Sequence, residues 1–174
     1  PTVIDFARDV AAEGLGNALS MRRMWNQMRM SPTDLADLSA TALTFLMNGH
    51  TATDNWTGLF SPRDRVRLRF INGAGNTFYD VRIPGLKLTI VQADGVDVDP
   101  ITVDKFRFGP GETYDALVSP ADDAYTLFAE SMDRTGFVSG TLATRTGLTA
   151  PVPDVDVPEH LSMTDMMGAM GAAG

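Results

Sequence analysis

Apolar and polar side chains alternate with a period of two in several short runs of the chain after residue 43. In the stretch from Arg65 to Phe70, valine, leucine and phenylalanine occupy every second position and arginine stands between them. Because successive side chains of a strand point to opposite faces of a sheet, this pattern is typical of strands with one buried face. The remaining strand candidates lie at residues 79–83, 86–90, 105–108, 114–118, 124–129 and 136–142.

Turn-forming residues separate these runs, as in the Asn-Gly pair at Asn72 and the Asp-Gly pair at Asp94. Both pairs tolerate a positive backbone φ and suit the reversal of a hairpin. About seven or eight short strands at this spacing indicate an antiparallel sandwich or barrel rather than a parallel α/β sheet. The pattern therefore predicts a mainly β domain over residues 41–147.

The period is different before residue 40, where apolar residues recur every three or four positions. Positions 3–10 predict a first helix that ends at Gly14, and positions 15–28 predict a second helix. A Pro-Thr-Asp turn near residue 32 offers a cap for a short third helix. We expect residues 1–40 to form a helical extension that packs on the sandwich.

The last part of the chain has the composition of a linker. Three prolines, at positions 151, 153 and 158, favour an extended segment, and a methionine-rich stretch follows them. The sequence predicts that the sandwich ends near residue 147 and that residues 148–174 lead towards a further domain. The first residue is not methionine, which predicts a processed chain or an excised fragment.

Composition and charge narrow the classes of partner. The chain has 174 residues, of which 44% are hydrophobic, enough for one domain with a core. Its formal net charge of −8 argues against a nucleic-acid backbone or an anionic membrane as partner, since both attract clustered Lys and Arg. The sequence has no apolar run long enough to span a bilayer, and its first residues lack the pattern of a signal peptide.

The sequence offers few groups for catalysis. Cysteine is absent, which excludes disulfides, cysteine nucleophiles and thiolate metal sites, and the histidines are His50 and His160. His50 stands in a turn-rich loop, and the acidic residues are scattered over turns and polar strand faces, where solvation explains them. Residues 94–100 lack the calcium-loop pattern, and the glycine-rich residues 72–76 lack a phosphate-loop lysine. We therefore expect no catalytic site within this chain.

Several longer motifs resemble the second cupredoxin domain of three-domain multicopper oxidases. They are RFIN at residues 69–72, ADG at 93–95 with Pro100 after it, and PGETYD at 110–115. Further segments resemble the bacterial copper-resistance oxidases of the CopA family: MRRMWNQMRMSPTDLADL, NWTGLF, FYDVRIPGLKLT and ESMDRTGFVSGTLATR. The resemblance covers nearly the whole chain. It implies a mainly β fold, a cupredoxin-like antiparallel Greek-key β-sandwich with an N-terminal helical extension.

The same resemblance implies a function for a complete parent protein. Members of this group are periplasmic oxidases that couple the oxidation of Cu(I) or an organic reductant to the reduction of oxygen to water. Their copper centres need a cysteine and many histidines, and they lie in the first and third domains and at the contact between them. This chain has no cysteine and two histidines. The resemblance therefore implies a middle domain that bridges and orients the copper-bearing first and third cupredoxin domains.

The methionine-rich stretch adds a second hypothesis, because thioether sulfur is a soft ligand that suits Cu(I). A tail that binds no metal is the alternative, and the methionines at helical spacing within residues 21–28 favour packing instead. Three functions stay open: a structural middle domain, a Met-rich Cu(I)-binding module and a generic β-sandwich interaction module. The candidate Cu(I) ligands are Met163, Met166, Met167, Met170 and His160.

Overall fold

The computed structural model describes residues 3–28 and 43–158. The chain divides into two compact units, Pro1–Ser39 with Val157–Gly174 and Ala40–Asp156. The predicted third helix near residue 32 lies outside the described residues, and the packing of the helical extension on the sandwich stays a prediction.

The first unit contains the two helices that the sequence predicts, α1 (Val3–Glu13) and α2 (Leu15–Met28). Gly14 lies between them with a φ of 84°, a left-handed conformation that glycine adopts without strain, and its amide donates to the carbonyl of Val10. An ion pair of 3.1 Å joins Arg22 of α2 to Asp9 of α1. These contacts hold the two helices together as a hairpin.

The second unit contains nine strands within residues 43–158, arranged in two sheets. The five-stranded sheet has the order β1-β9-β8-β3-β6, and the four-stranded sheet has the order β2-β7-β4-β5. The strands are β1 (Trp56–Leu59), β2 (Val66–Ile71), β3 (Tyr79–Arg82), β4 (Leu88–Ala93), β5 (Val96–Val103), β6 (Lys105–Phe108), β7 (Thr113–Val118), β8 (Ala124–Ser131) and β9 (Phe137–Ala143).

The core lies between the two sheets. Leu88, Ile90 and Val118 from the four-stranded sheet form one buried cluster with Leu127 and Leu142 from the five-stranded sheet. The predicted mainly β fold is confirmed, and the two separate sheets decide for a sandwich over a barrel. One pair departs from the antiparallel expectation, because β1 runs parallel to β9 at the edge of its sheet. The long connection between these two strands allows the chain to return in the same direction.

The Asp-Gly prediction is confirmed, whereas the Asn-Gly prediction is wrong. Asp94 and Gly95 have φ values of 47° and 78° and reverse the chain between β4 and β5. Asn72 instead follows β2, whose successor β3 lies in the other sheet, so no hairpin forms there. Its buried side-chain amide donates to the carbonyls of Thr77 and Phe108, at 2.8 and 3.2 Å. Asn72 therefore fixes the crossover between the sheets.

Two strands were missed by the sequence interpretation, β1 and β5. β5 contains Pro100 and two acidic residues, Asp97 and Asp99, which indicate a loop when the sequence is considered alone. Proline is tolerated because β5 is the edge strand of the four-stranded sheet, where one side of its backbone needs no ladder partner. The position of the strand in the sheet therefore overrides its composition.

Candidate functional site

The candidate Cu(I) ligands cannot be placed in the fold. The set formed by His160 and the methionines of residues 163–170 lies outside the described residues, so its metal binding stays a prediction. His50 is described, and it lies exposed in a turn where its backbone bonds to that of Met47 in both directions, at 2.9 and 3.0 Å. Among residues 3–28 and 43–158, no three or more His, Cys, Asp or Glu side chains are grouped so that they could hold a metal ion.

The outer face of the five-stranded sheet carries a cluster of charged side chains. In β3, Val81 points into the sandwich, so Asp80 and Arg82 point to the opposite side. The strand register places Asp80 beside Arg107 of β6 and Glu130 of β8. We call this cluster the ionic face: Asp80, Arg82, Lys105, Arg107, Glu130 and Arg134.

Asp80 is the first centre of the ionic face. Arg107 holds it with two parallel bonds, from Nε to Oδ1 at 2.7 Å and from Nη2 to Oδ2 at 2.8 Å, and Arg134 pairs with Oδ2 as well. The side chains of Asp80 and Arg134 are both only 2% exposed. Burial by itself raises the pKa of Asp80, but the hydrogen bonds and charges of the two arginines outweigh burial and lower the pKa. Asp80 is therefore held as a carboxylate.

Arg82 is the second centre. Its Nη1 lies 2.7 Å from Oε1 of Glu130 and 2.7 Å from Oδ1 of Asp156, and its Nη2 donates to the carbonyl of Asp154 at 2.7 Å. Its guanidinium also stacks over the ring of Phe128, 4.8 Å from the centroid. One side chain thus joins β3, β8 and the segment that follows the last strand.

The pKa values of the two carboxyl groups bound to Arg82 are shifted in opposite directions. Glu130 is fully buried, and burial raises its pKa. Asp156 accepts a hydrogen bond from Lys105 at 2.8 Å, and this bond, with the contribution of Arg82, lowers its pKa to about 2. The Glu130 carboxyl also accepts the backbone amide of Asp156 at 2.7 Å, which binds the segment a second time.

Residues 150–156, which we call the strap, lie against this sheet. Besides the contacts of Asp154 and Asp156, the hydroxyl of Thr126 in β8 donates to the carbonyl of Ala150 at 3.1 Å. The compact unit that contains the sandwich extends to Asp156, and the predicted end of the sandwich near residue 147 stays a prediction. An extended proline-rich segment forms no ladder of its own, so its carbonyls and its acidic side chains remain free to bind charged groups of the sheet.

A groove of about 920 Å³ lies between β2 and the inner face of the five-stranded sheet, and residues 43–48 border it. We call it the open groove, and its floor is apolar and buried. Leu43, Leu46 and Ile71 stand at its rim with exposed fractions of 50%, 54% and 72%. The floor is formed by Val81, Phe108, Ala129 and Val138.

Arg67 and Arg69 belong to the part of β2 that borders the groove, but their side chains point to the outer face of the four-stranded sheet, because Leu68 and Phe70 point into the sandwich. Nε of Arg67 lies 2.7 Å and Nε of Arg69 3.4 Å from the same carboxylate oxygen of Asp115. The antiparallel register places Asp115 directly opposite Arg69. The two guanidinium groups thus share one carboxylate on the outer face of the four-stranded sheet.

Sequence comparison defines the class of the protein. The sequence model of the family described as "Multicopper oxidase" matches residues 20–148, so the chain belongs to the multicopper oxidase family. Within it, the chain is 56% identical over 172 residues to Copper resistance protein A of Escherichia coli, which covers 98% of this chain and 28% of that protein. It is 54% identical over 165 residues to a homologue of that protein from Pseudomonas syringae pv. tomato, covering 95% of this chain and 28% of the relative. The chain thus spans about 28% of the length of the curated relatives it matches.

Structural comparison supports the fold. The crystal structure of a laccase from Botrytis aclada matches with a TM-score of 0.50 and 23% identity, covering 60% of this chain and 21% of that chain. At this identity the likeness shows the fold alone, and it confirms the predicted cupredoxin-like sandwich. Within the described residues, no helix has the length and apolar character needed to cross a membrane.

Copper is the metal of the family, and the donor groups of this chain do not fit its centres. A mononuclear site of the blue-copper type needs a cysteine and two histidines. The whole chain has no cysteine and two histidines, and the described one, His50, is exposed in a turn. No step of copper chemistry is therefore assigned to the residues of this chain.

The ionic face was missed by the sequence interpretation, although two signals for it exist. The alternation in β3 puts Asp80 and Arg82 on the same face, and Glu130 directly follows the apolar residues 127–129 of β8. A glutamate in a buried strand needs either a cation or a proton, since an unpaired buried charge is strongly unfavourable. The open groove gives no comparable signal, because it depends on which strands lie at the edges of the two sheets.

Proposed function

We propose that this chain is the middle domain of a larger periplasmic multicopper oxidase for copper tolerance. It carries no copper centre of its own, and it bridges and orients the first and third domains, which bear the copper. The parent enzyme couples oxidation of Cu(I) or an organic reductant to reduction of oxygen to water. The observation that carries the proposal is a chain without cysteine that matches copper-resistance proteins over 98% of its length yet spans 28% of theirs.

The strap supports the orienting role. A bridging domain has to fix the point and the direction in which the chain leaves it. Arg82 and Glu130 together hold the backbone of the strap at Asp154 and Asp156, and Lys105 holds the side chain of Asp156. These contacts define where the polypeptide leaves the sandwich on its way to a following domain.

Replacement of the domain in the parent protein tests this function. Residues 43–156 are exchanged for a flexible Gly/Ser linker of sufficient reach, and a second variant keeps the domain but carries Asp104→Ala, a change at an exposed ion pair. We expect the linker variant to keep the mononuclear copper, measured by absorption and metal analysis, and to lose oxygen reduction. The Asp104→Ala protein should retain both. Unchanged oxygen reduction in the linker variant would contradict a bridging role.

The methionine-rich stretch is the reason for a second candidate function, collection of Cu(I). Four methionines lie within residues 163–170, and their thioethers can bind Cu(I) without a thiolate. An anaerobic Cu(I) titration against a chromophoric competitor tests it, with the four methionines changed to leucine together. Met21→Leu with Met24→Leu is the matched control. Binding that is lost in the first variant and kept in the control supports the function, and equal binding by all three proteins contradicts it.

A further inference from the structure

The sequence contains two Asn-Gly pairs, Asn48-Gly49 and Asn72-Gly73, and the fold surrounds them differently. Asn72 is 3% exposed, its side-chain amide donates to two backbone carbonyls, and its Oδ1 accepts the amide of Ala74 at 3.0 Å. Asn48 is exposed, and its side chain forms no hydrogen bond within the described part of the chain. The fold therefore fixes the side chain of the second pair and leaves that of the first accessible to water.

Asn48 and Gly49 form the tip of a two-residue turn. Their φ values of 50° and 83° are those of a type I′ turn, and Met47 and His50 on either side exchange backbone hydrogen bonds of 2.9 and 3.0 Å. This pairing is an isolated bridge outside the named strands. A short exposed element of this kind opens at a small part of the free energy of global unfolding. The turn can therefore open while the sandwich stays folded.

We propose that Asn48-Gly49 is a site of spontaneous deamidation, at which the chain modifies its own backbone with water as the co-reactant. In the open turn, the backbone nitrogen of Gly49 attacks Cγ of the Asn48 side chain. A bond forms between these two atoms, the bond from Cγ to Nδ2 breaks, and ammonia leaves with the former amide proton of Gly49. Water then adds to one carbonyl of the resulting cyclic imide and opens the ring. The product at position 48 is an aspartate or an isoaspartate.

The attacking group is available in this turn. The two backbone bonds of the turn belong to Met47 and His50, and the amide of Gly49 forms no hydrogen bond among residues 43–158. Glycine has no Cβ to hinder the approach of its nitrogen, and it adopts the backbone conformations needed for ring closure without strain. Nucleophile and electrophile are thus adjacent, and neither of them is held by another group of the described chain.

Asn72-Gly73 is the internal control, because its backbone is held as firmly as its side chain. The amide of Asn72 donates to the carbonyl of Glu112 at 3.1 Å, and its own carbonyl accepts the amide of Gly111 at 2.9 Å. These bonds join the crossover to the loop before β7, so the pair opens when the sandwich itself opens. The same dipeptide should therefore stay unmodified at this position in the folded protein.

The modification changes the turn in two ways. An isoaspartate adds one carbon to the main chain of a two-residue turn, so the two bonds between Met47 and His50 cannot both be kept, and either product adds a carboxylate in place of a neutral amide. Met47 packs against both buried clusters of the sandwich, and Met47 and Asn48 border the open groove. Deamidation therefore alters the shape and the charge of one border of the groove as the protein ages.

Incubation of the full-length protein at mildly alkaline pH tests the proposal. Peptide mapping by mass spectrometry measures the conversion of amide to acid at positions 48 and 72, and labelling by a protein isoaspartyl methyltransferase detects isoaspartate. In the folded protein we expect position 48 to react at least about tenfold faster than position 72, because exposed turns open far more readily than buried backbone. In concentrated urea the two rates should become similar, since both pairs then have the same local chemistry.

Two variants and one exchange measurement complete the test. Gly49→Ala should slow the reaction at position 48 severalfold, because the added methyl group hinders the attack, whereas Gly73→Ala should leave that rate unchanged. Hydrogen exchange at Met47 and His50 should become faster in the isoaspartate-containing fraction than in the unmodified fraction. Equal rates at positions 48 and 72 in the folded protein would overturn the proposal, and so would an unmodified position 48 under conditions where the protein in urea reacts at both.

Discussion

The ionic face and the open groove belong to the same sandwich, yet they are completed in different ways. On the ionic face, buried charges pair with one another and the chain returns as a strap to bind them. At the open groove, Leu43, Leu46 and Ile71 are apolar and at least half exposed. The difference teaches that the first region serves the fold of this chain, whereas the second keeps apolar side chains exposed among residues 3–28 and 43–158.

The two regions also differ in how their interactions contribute to free energy. A buried carboxylate between arginines stabilises the folded state only while every partner is present, because a charge left alone inside a protein is strongly unfavourable. An exposed leucine or isoleucine contributes little to folding, but burial by a partner gains about 1.5–3 kcal/mol for each such side chain. Mutations should therefore affect unfolding at the face and association at the groove.

The largest effect is expected from Asp80→Ala. Removal of this carboxylate leaves Arg134 buried without its partner and Arg107 without its two parallel bonds. The free energy of unfolding should fall by about 3–5 kcal/mol, measured by urea denaturation. The control is Asp104→Ala, which removes an ion pair of two exposed side chains, with Asp104 79% exposed, and should change stability by about 1 kcal/mol or less. If both variants lose a similar free energy of unfolding, the buried network contributes no more to stability than an exposed ion pair does.

Arg82→Met comes next. Methionine keeps the apolar stem over Phe128 but removes the bonds to Glu130 and the strap. Because Glu130 can take up a proton when it loses its cation, we expect a smaller loss of about 2–3 kcal/mol. The specific readout is limited proteolysis, which should cut within residues 150–156 of the variant and not of the wild type. Lys105→Met, which loses the contact to Asp156, is the control that should keep the strap resistant.

A pH titration separates the two carboxyl groups of the strap contact. The pKa of Asp156 is about 2 in the fold against an ordinary value of 3.8, so its stabilisation is present above about pH 4 and is lost as the pH falls towards 2. Glu130 has a raised pKa, so its contribution is present at low pH and is lost as the pH rises through that pKa. Asp156→Asn should therefore reduce the loss of stability below about pH 4, by about 1 kcal/mol or less since the group is partly exposed. If the urea midpoint falls below about pH 4 by the same amount in Asp156→Asn as in the wild type, the assigned pairing of Asp156 with Lys105 and Arg82 is contradicted.

The smallest effect on folding is expected at the groove. Ile71→Glu changes a rim residue that is 72% exposed, so the free energy of unfolding should stay within about 0.5 kcal/mol of the wild type. In the full-length protein the same variant should weaken interdomain contact, seen as faster proteolysis between domains. Ile101→Glu is the matched change on β5. A large loss of stability in the isolated Ile71→Glu chain would mean that the rim is part of the fold rather than an interface.

The local parts of the fold could be predicted from the sequence, and the nonlocal parts could not. The alternation in β2 gives its buried face directly, and the helices follow from apolar spacing around Gly14. β5 was missed because Pro100 suggests a loop, and only its place at a sheet edge makes it a strand. The ionic face needs the register between β3, β6 and β8, which joins residues 27 and 48 positions apart in sequence. These residue pairs depend on which strands are neighbours in the sheet, so they cannot be predicted from the pattern within one strand.

Hydrogen exchange on the isolated chain and on the full-length protein tests the central claim, that this domain completes one face itself and leaves the other for a partner domain. The account predicts that the amides of residues 43–48 and 66–77 around the groove gain protection in the full-length protein, while those of residues 150–156 are protected equally in both. Equal exchange around the groove in both proteins, or a strap that is protected only in the full-length protein, would contradict it.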